Sequence, residues 1–119
     1  MSKLLIVDDE QDIRDFAKSF FEKRKISCFT AANGREAITL TKNENPDLIL
    51  LDIRMEEANG LDVLEKIREF NQTVKVIMVS GVEEKEALDK AKALGALAYI
   101  HKPLILEELE KIVLKELNV

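Results

Sequence analysis

The chain has 119 residues, of which 46% are hydrophobic and 34% are charged, and its formal net charge is −5. This length suits one domain with a sizeable hydrophobic core. The acidic balance, with both signs interspersed, argues against general nucleic-acid binding, which needs a basic face, and against attraction to anionic membranes.

Strand and helix signals alternate along the whole chain. Short apolar runs predict five strands, over 3–7, 27–31, 47–52, 74–79 and 97–100. Apolar residues at three- and four-residue spacing predict five helices, over about 11–24, 34–43, 60–70, 83–94 and 106–117. Their expected inner faces are Ile13, Phe16, Ala17, Phe20 and Phe21 in the first helix, Ala37, Ile38 and Leu40 in the second, Leu61, Leu64 and Ile67 in the third, and Leu109, Ile112, Val113 and Leu117 in the fifth.

The third predicted strand organises the others. Its apolar run between Asp47 and Asp52 does not alternate with polar residues, which indicates a strand buried on both faces, as in a parallel sheet. Strict alternation of strands and helices predicts an α/β fold, a doubly wound, flavodoxin-like five-stranded parallel sheet. A strand order of 2-1-3-4-5 would put the ligand-binding edge between strands one and three.

The amino end and the cysteine content indicate a cytoplasmic protein. The apolar run Leu4–Val7 is too short for a signal peptide, and no stretch approaches the ~18 apolar residues of a membrane span. Cys28 is the single cysteine of the sequence, which excludes an internal disulfide and a cysteine cluster for zinc. We expect it to be a buried structural thiol.

Polar residues follow the predicted strands where each one ends. They are Asp8 and Asp9 after strand one, Asp52 after strand three, Ser80 after strand four and Lys102 after strand five. Carboxylates crowded at one edge repel each other, and a divalent cation such as Mg²⁺, which prefers oxygen ligands, relieves that repulsion. Metal, ammonium and hydroxyl donors around a carboxylate suit phosphoryl transfer, for which aspartate is an accepted nucleophile.

Each of these residues also has an ordinary structural interpretation. The two adjacent aspartates could cap a helix, Ser80 could cap the next helix, and Lys102 could be solvated surface. Tyr99 would ordinarily be core or partly exposed packing, and His101 an unremarkable residue at a strand end. The functional interpretation depends on all the polar groups falling at the same edge of one sheet, which is improbable by chance.

The sequence resembles the receiver domain of bacterial two-component response regulators, in its single-domain, chemotaxis-receiver-like form. The residues that carry the resemblance are Asp8, Asp9, Asp52, Ser80, Tyr99, Lys102 and Pro103. The resemblance covers the whole chain, residues 1–119, as one receiver domain. It implies a phosphoacceptor signalling module that takes a phosphoryl group onto Asp52 from a histidine kinase or a histidine phosphotransfer protein, and that catalyses only its own phosphorylation and dephosphorylation.

The resemblance also implies a metal site. Asp9 and Asp52 would bind Mg²⁺ through their side chains, Arg54 would bind it through its backbone carbonyl, and Asp8 would act mainly through ordered water. No other cofactor is implied.

A conformational switch is implied in the same way. Lys102 would contact the phosphoryl group, Ser80 would move toward it, and Tyr99 would swing inward, which changes the surface of helix four, strand five and helix five. The family often has a cis bond where this chain has Lys102-Pro103. The added charge of about −1.5 to −2 would drive these changes.

The implied partners are proteins. A kinase would touch the first helix near Arg14 and Lys18 and the loop after Pro103. Because the fifth helix ends the chain, we expect no DNA-binding or catalytic output domain. The acidic balance of the chain leads us to expect no direct nucleic-acid contact and no membrane contact. The chain would act by binding a downstream protein or by passing the phosphoryl group on, and it could be part of a larger regulator.

Three positions depart from the family pattern near the acceptor. Glu56 follows Met55 where the family usually has proline, and Gly81 stands where alanine is common. Arg54 places a long cation beside the site. We hypothesise that its side chain affects the phosphoryl lifetime, by pairing with Glu56 or Glu57 or by obstructing attacking water.

Two other functions compete with this one. A phosphatase or phosphotransferase of the haloacid dehalogenase type also uses aspartate, Mg²⁺ and lysine, but it requires Asp-x-Asp after strand one, and here the acids are adjacent. A flavin- or nucleotide-binding domain requires a phosphate-binding loop after strand one. The acidic run 8–10 would instead repel phosphate.

Overall fold

The structure is a computed structural model that describes residues 2–55, 59–81 and 85–118. Its strands are β1 (Lys3–Val7), β2 (Ser27–Ala31), β3 (Leu48–Asp52), β4 (Lys75–Ser80) and β5 (Ala98–His101). Its helices are α1 (Gln11–Glu22), α2 (Gly34–Glu44), α3 (Gly60–Phe70), α4 (Lys85–Ala93) and α5 (Leu106–Leu117). The predicted alternation of strands and helices is confirmed. Among these helices none is long and apolar enough to cross a membrane.

All five strands form one parallel sheet in the order β2-β1-β3-β4-β5, which confirms the predicted fold class. The register pairs Val7 with Leu51, Asp52 with Val79, and Ser80 with His101. The carboxyl ends of β1, β3, β4 and β5 therefore meet at one edge of the sheet. Polar residues that are far apart in the sequence converge there.

The sheet has a hydrophobic core on each face. Alternate residues of β1 point to opposite faces: Leu5 packs with α2, α3 and α4, whereas Leu4 packs with α1 and α5. Every residue of β3 is buried, as the uninterrupted apolar run predicted. Each fully buried leucine contributes about 1.5–3 kcal/mol to folding, so β3 forms a rigid support for Asp52 at its end.

Phe16 does not lie on the buried face of α1, which corrects the prediction from spacing. Its side chain is 63% exposed, whereas Ala17 and Phe21 are buried. The sheet contacts α1 along a line through Ala17 and Phe21, and Phe16 is rotated by about 100° from Ala17. The spacing of apolar residues therefore predicted a buried face of α1 that is wider than the face the sheet covers.

Several predicted boundaries shift for identifiable reasons. Strand β4 begins one residue late because both backbone groups of Val74 are engaged elsewhere: its N–H donates to Asn71 Oδ1, at 3.0 Å, and its carbonyl accepts from Arg68 Nη1, at 2.8 Å. Helix α1 ends at Glu22, before a turn that contains Lys25 at φ 63°. The start predicted for the fourth helix, at 83, lies outside the described residues.

Candidate functional site

The loop after β1 is held tightly. The side chain of Asp8 is buried, and its backbone N–H donates to the Ala31 carbonyl at 3.1 Å, which extends the pairing of β1 with β2. Its carboxylate Oδ1 accepts the Glu10 N–H at 2.9 Å, and its backbone carbonyl accepts Arg14 Nη1 at 2.8 Å. An acceptor on β2 and donors on the loop and on α1 thus fix the segment from which the acids project.

The carboxylates of this loop form a cluster with ligand spacing. Asp8, Asp9 and Glu10 each offer an oxygen atom, and these atoms lie within 4.8 Å of one another. Three carboxylates this close repel each other, and oxygen donors of this kind are the ligands that Mg²⁺ prefers. The donor set therefore fits a hard divalent cation. Glu10 was not among the predicted ligands, although the uninterrupted acidic run 8–10 was a signal for it.

Asp52 and Asp8 share one ammonium group. Asp52 is 2% exposed at the end of β3, and Lys102 Nζ lies 3.0 Å from its Oδ2 and 3.3 Å from Oδ2 of Asp8. The N–H of Arg54 donates to the other oxygen of Asp52, Oδ1, at 3.3 Å. The predicted convergence of the acids and the lysine at one sheet edge is therefore observed.

The pKa values of Asp52 and Lys102 are both shifted by burial and by neighbouring groups. Burial raises the pKa of Asp52; the hydrogen bond from Lys102 opposes this shift, and the charge of Asp8 adds to it. Burial acts to lower the pKa of Lys102, but its contacts with Asp52 and Asp8 outweigh burial, and the pKa is raised. The lysine therefore stays charged at neutral pH. A buried carboxylate with a raised pKa beside a specific cation is typical of functional sites.

The first residue of α3 contacts the backbone of the β3 end. The Gly60 N–H donates to the Ile53 carbonyl at 2.6 Å, and the side chain of Asn59 caps the helix by accepting the Leu61 N–H at 2.8 Å. A Cβ atom at Gly60 would lie 2.1 Å from the carbonyl oxygen of Asp52, so only glycine permits this approach. The sequence pattern indicates Gly60 only as the start of a helix and gives no sign of this contact.

The remaining predicted residues lie on or beside β4 and β5. Ser80 is buried at the end of β4, and its carbonyl accepts the Lys102 N–H at 2.7 Å. Tyr99 is partly buried in β5, packs against the core on the α2, α3 and α4 side, and has its ring centroid 5.5 Å from that of His101. The Lys102-Pro103 peptide bond is cis. Tyr99 therefore lies before the end of β5, whereas Ser80 ends β4 and Lys102 follows β5.

A mostly apolar groove of about 690 Å³ borders the site between α1 and the segment after β5. Its lining residues are Asp12, Ile13, Phe16, Ala17, Gly81, Lys102, Pro103, Leu104 and Leu106. Phe16, which spacing placed in the core, lines this groove instead. One wall of the groove therefore includes the lysine that contacts Asp52.

Comparison with known proteins gives a consistent result. Residues 4–114 match the family model of the response regulator receiver domain. The chain is 34% identical to sporulation initiation phosphotransferase F of Bacillus subtilis, over 97% of this chain and 93% of that protein. It is 35% identical to the regulatory protein AtoC of Escherichia coli over 99% of this chain, but it spans only 26% of that protein's length. It likewise spans 49% of the probable C4-dicarboxylate response regulator DctR of Bacillus subtilis.

Solved structures agree with the sequence matches. A CheY-like receiver domain from Methanospirillum hungatei superimposes with a TM-score of 0.95 at 31% identity, over 99% of this chain and 94% of that one. The response regulator TrrA from Thermotoga maritima, solved in complex with Mg²⁺ and BeF, gives 0.87 at 32% identity, over 98% of this chain and 100% of that one. None of these findings supports the haloacid dehalogenase alternative. The chain belongs to the receiver domain family of two-component response regulators, which are signalling proteins.

Proposed function

We propose that Asp52 is the phosphoacceptor of this receiver domain and that it takes its phosphoryl group from a phosphohistidine on a histidine kinase or a histidine phosphotransfer protein. The observation that carries the proposal is the position of Lys102 Nζ, between the buried carboxylates of Asp52 and Asp8 at the carboxyl edge of the sheet. Asp52 and Asp8 share the ammonium of Lys102 at the edge where sheets of this kind bind ligands. Their mutual repulsion also favours the binding of a further cation there.

In the proposed step, an oxygen of Asp52 attacks the phosphorus atom of the phosphohistidine. The new O–P bond forms as the P–N bond breaks, and the electron pair of that bond returns to the imidazole. Lys102 moves its hydrogen bonds from the carboxylates to a phosphoryl oxygen. The fixed backbone at the end of β3 and the Arg54 N–H hold the Asp52 carboxylate in place for the attack.

The proposed metal ligands are the side chains of Asp9 and Asp52 and the backbone carbonyl of Arg54, with Asp8 acting mainly through ordered water. The clustered oxygens of the acidic loop support the part of this assignment that concerns Asp8 and Asp9. Bound Mg²⁺ would balance the negative charge on the phosphoryl oxygens. Glu10 adds a further carboxylate at the rim.

The proposed output is a change in the surface formed by α4, β5 and α5. Phosphorylation would draw Ser80 toward the new phosphoryl oxygens and let Tyr99 turn inward. A complete switch from 1:99 to 99:1 needs about 5.5 kcal/mol of preference for the active arrangement. The half-buried side of β5, where Tyr99 lies, would transmit the change to a protein partner.

The proposed docking surface for the phosphodonor is the groove between α1 and the segment after β5. It is mostly apolar, it reaches Lys102, and Phe16 is 63% exposed on its wall. A relay role, in which the chain passes the phosphoryl group onward, is favoured by similarity to a relative that is named a phosphotransferase and is covered over 93% of its length.

The proposed setting is the cytoplasm, where the buried thiol of Cys28 would stay reduced.

The test is phosphorylation with a small donor. The chain is incubated with acetyl phosphate and Mg²⁺, and intact mass is measured. We expect uptake of one phosphoryl group, which is lost in Asp52→Asn and on chelation of Mg²⁺. Asp47→Asn is the matched control, because Asp47 lies just before the opposite end of β3 and accepts the backbone N–H of Lys3. Uptake that persists in Asp52→Asn would refute the proposed acceptor.

A further inference from the structure

The side chain of Arg14 binds the backbone of the acidic loop 8–10. This arginine lies in α1, and its Nη1 donates to the carbonyl of Asp8 at 2.8 Å, while its own N–H donates to the Glu10 carbonyl at 3.1 Å. The Asp8 carbonyl belongs to the peptide group that joins Asp8 to Asp9. Because a peptide group is planar, one hydrogen bond to its oxygen constrains the direction in which the next residue leaves the chain.

Three successive peptide groups of this loop are each held by a different partner. The group before Asp8 donates its N–H to the Ala31 carbonyl at 3.1 Å, and the group before Glu10 donates its N–H to Asp8 Oδ1 at 2.9 Å. The middle group, between Asp8 and Asp9, has its carbonyl held by Arg14. Loss of Arg14 would therefore remove the hydrogen bond to the carbonyl of the peptide group from which Asp9 projects.

We propose that Arg14 is a positioning residue of the phosphoacceptor site, which orients the carboxylate of Asp9 toward a bound divalent cation by holding the Asp8 carbonyl. The inference rests on the proposed function, because it assumes that the acidic loop binds Mg²⁺. Arg14 touches neither the cation nor the phosphoryl group in this role. It acts through the backbone of the loop.

Charge and geometry predict opposite effects of removing Arg14, which makes the inference testable. A positive charge near a cation site repels the cation, so its removal by itself would strengthen cation binding. Loss of a partner that orients metal ligands weakens binding, typically by about 10- to 100-fold. If positioning dominates, Arg14→Gln weakens cation binding although it removes a repulsive charge.

The experiment measures Mn²⁺ affinity by electron paramagnetic resonance, in the full chain without phosphodonor. We expect Arg14→Gln to bind Mn²⁺ about tenfold more weakly. Arg14→Lys, whose ammonium group can still donate to the carbonyl from a different position, should fall between this variant and the unmodified chain. Lys18→Gln is the matched control, because it removes the same charge one turn further along α1, and its affinity should be unchanged or slightly higher.

The outcomes separate this inference from the proposed function. Affinity in Arg14→Gln equal to or higher than that of the unmodified chain would overturn the positioning role alone. Failure of the unmodified chain to bind Mn²⁺ would overturn the proposed function and this inference together. Thermal unfolding shows which variants fold; if Arg14→Gln does not, Arg14→Ala decides, and undiminished Mn²⁺ binding by it would contradict the inference.

Discussion

The first residue of α3, Gly60, stands against the backbone of Asp52, so that a Cβ atom at position 60 would lie 2.1 Å from the Asp52 carbonyl oxygen. The backbone N–H of Gly60 also donates a hydrogen bond to the Ile53 carbonyl at 2.6 Å, so the backbone here has little room to shift. The end of β3 and the start of α3 are therefore in direct backbone contact. This contact sets the position of the proposed acceptor.

Gly60→Ala should destabilise the fold and impair the site together. Forcing a methyl group into this backbone contact should cost about 1–3 kcal/mol of unfolding free energy, measured by urea denaturation. Displacement of Asp52 should also slow phosphoryl uptake. Gly81→Ala is the control, because a Cβ there has nothing within 4 Å, and its stability should change by less than about 0.5 kcal/mol. Equal stability of the two variants would contradict the close approach.

Asp52→Asn should raise stability in cation-free buffer at neutral pH. Burial raises the pKa of Asp52 above its ordinary 3.8, so the folded state holds this proton more tightly than the unfolded state. Stability therefore falls as pH rises from about the ordinary value through the folded-state pKa. The asparagine side chain does not titrate, so Asp52→Asn does not lose stability in this way as pH rises.

The measurement is urea denaturation at several pH values. The advantage of Asp52→Asn over the unmodified chain should be absent below pH 3.8, grow as pH rises through the folded-state pKa and stay constant above it. Asp47→Asn, whose carboxylate lies in an exposed contact with the Lys3 N–H, is the matched comparison. An advantage that is largest at low pH would show that the sign is wrong.

Arg68→Ala should loosen the loop after α4. The Arg68 side chain donates to carbonyls of two separate loops, at distances of 2.7 to 3.3 Å; the acceptors are Asn71, Val74, Leu94 and Gly95. Losing these charge-assisted bonds should cost about 2–3 kcal/mol. Hydrogen exchange at the Gly95 and Ala96 amides should become faster. Lys66→Ala, at an exposed position of the same helix, should leave both stability and exchange nearly unchanged.

Arg54→Ala should shorten the lifetime of the phosphorylated state. The side chain of Arg54 is exposed beside the acceptor, and its backbone N–H bonds to Asp52. If the side chain obstructs attacking water, its removal should speed dephosphorylation by a few-fold, measured by intact mass after removal of the donor. The residues proposed to pair with it, Glu56 and Glu57, lie outside the described part of the chain. An unchanged dephosphorylation rate would discard the hypothesis.

The sequence was most informative where one physical rule acts alone. An apolar run without alternation identified β3 as a strand covered on both faces, because each face of a parallel sheet is packed by helices. Strict alternation of elements was enough to predict the doubly wound sheet. From that architecture alone, Asp8, Asp52 and Lys102 could be assigned to a shared edge, since parallel strands all end on the same side.

Spacing was less informative for contacts between elements. It grouped Phe16 with the core residues of α1, but the exposed fraction of its side chain depends on how wide a face the sheet covers. It also gave no sign that Arg68 joins two loops or that Arg14 holds the Asp8 carbonyl, because these bonds are made to backbone atoms whose position the residue types do not encode.

The sequence by itself determined the order of strands and helices, the buried central strand and the set of polar residues at the strand ends, because hydrophobic periodicity and chain connectivity are local properties. Only the tertiary structure decided which atoms meet: the ammonium of Lys102 between two buried carboxylates, and the bare backbone of Gly60 against Asp52. Such contacts depend on the twist, register and packing distance of several elements at once, and no single stretch of sequence specifies them.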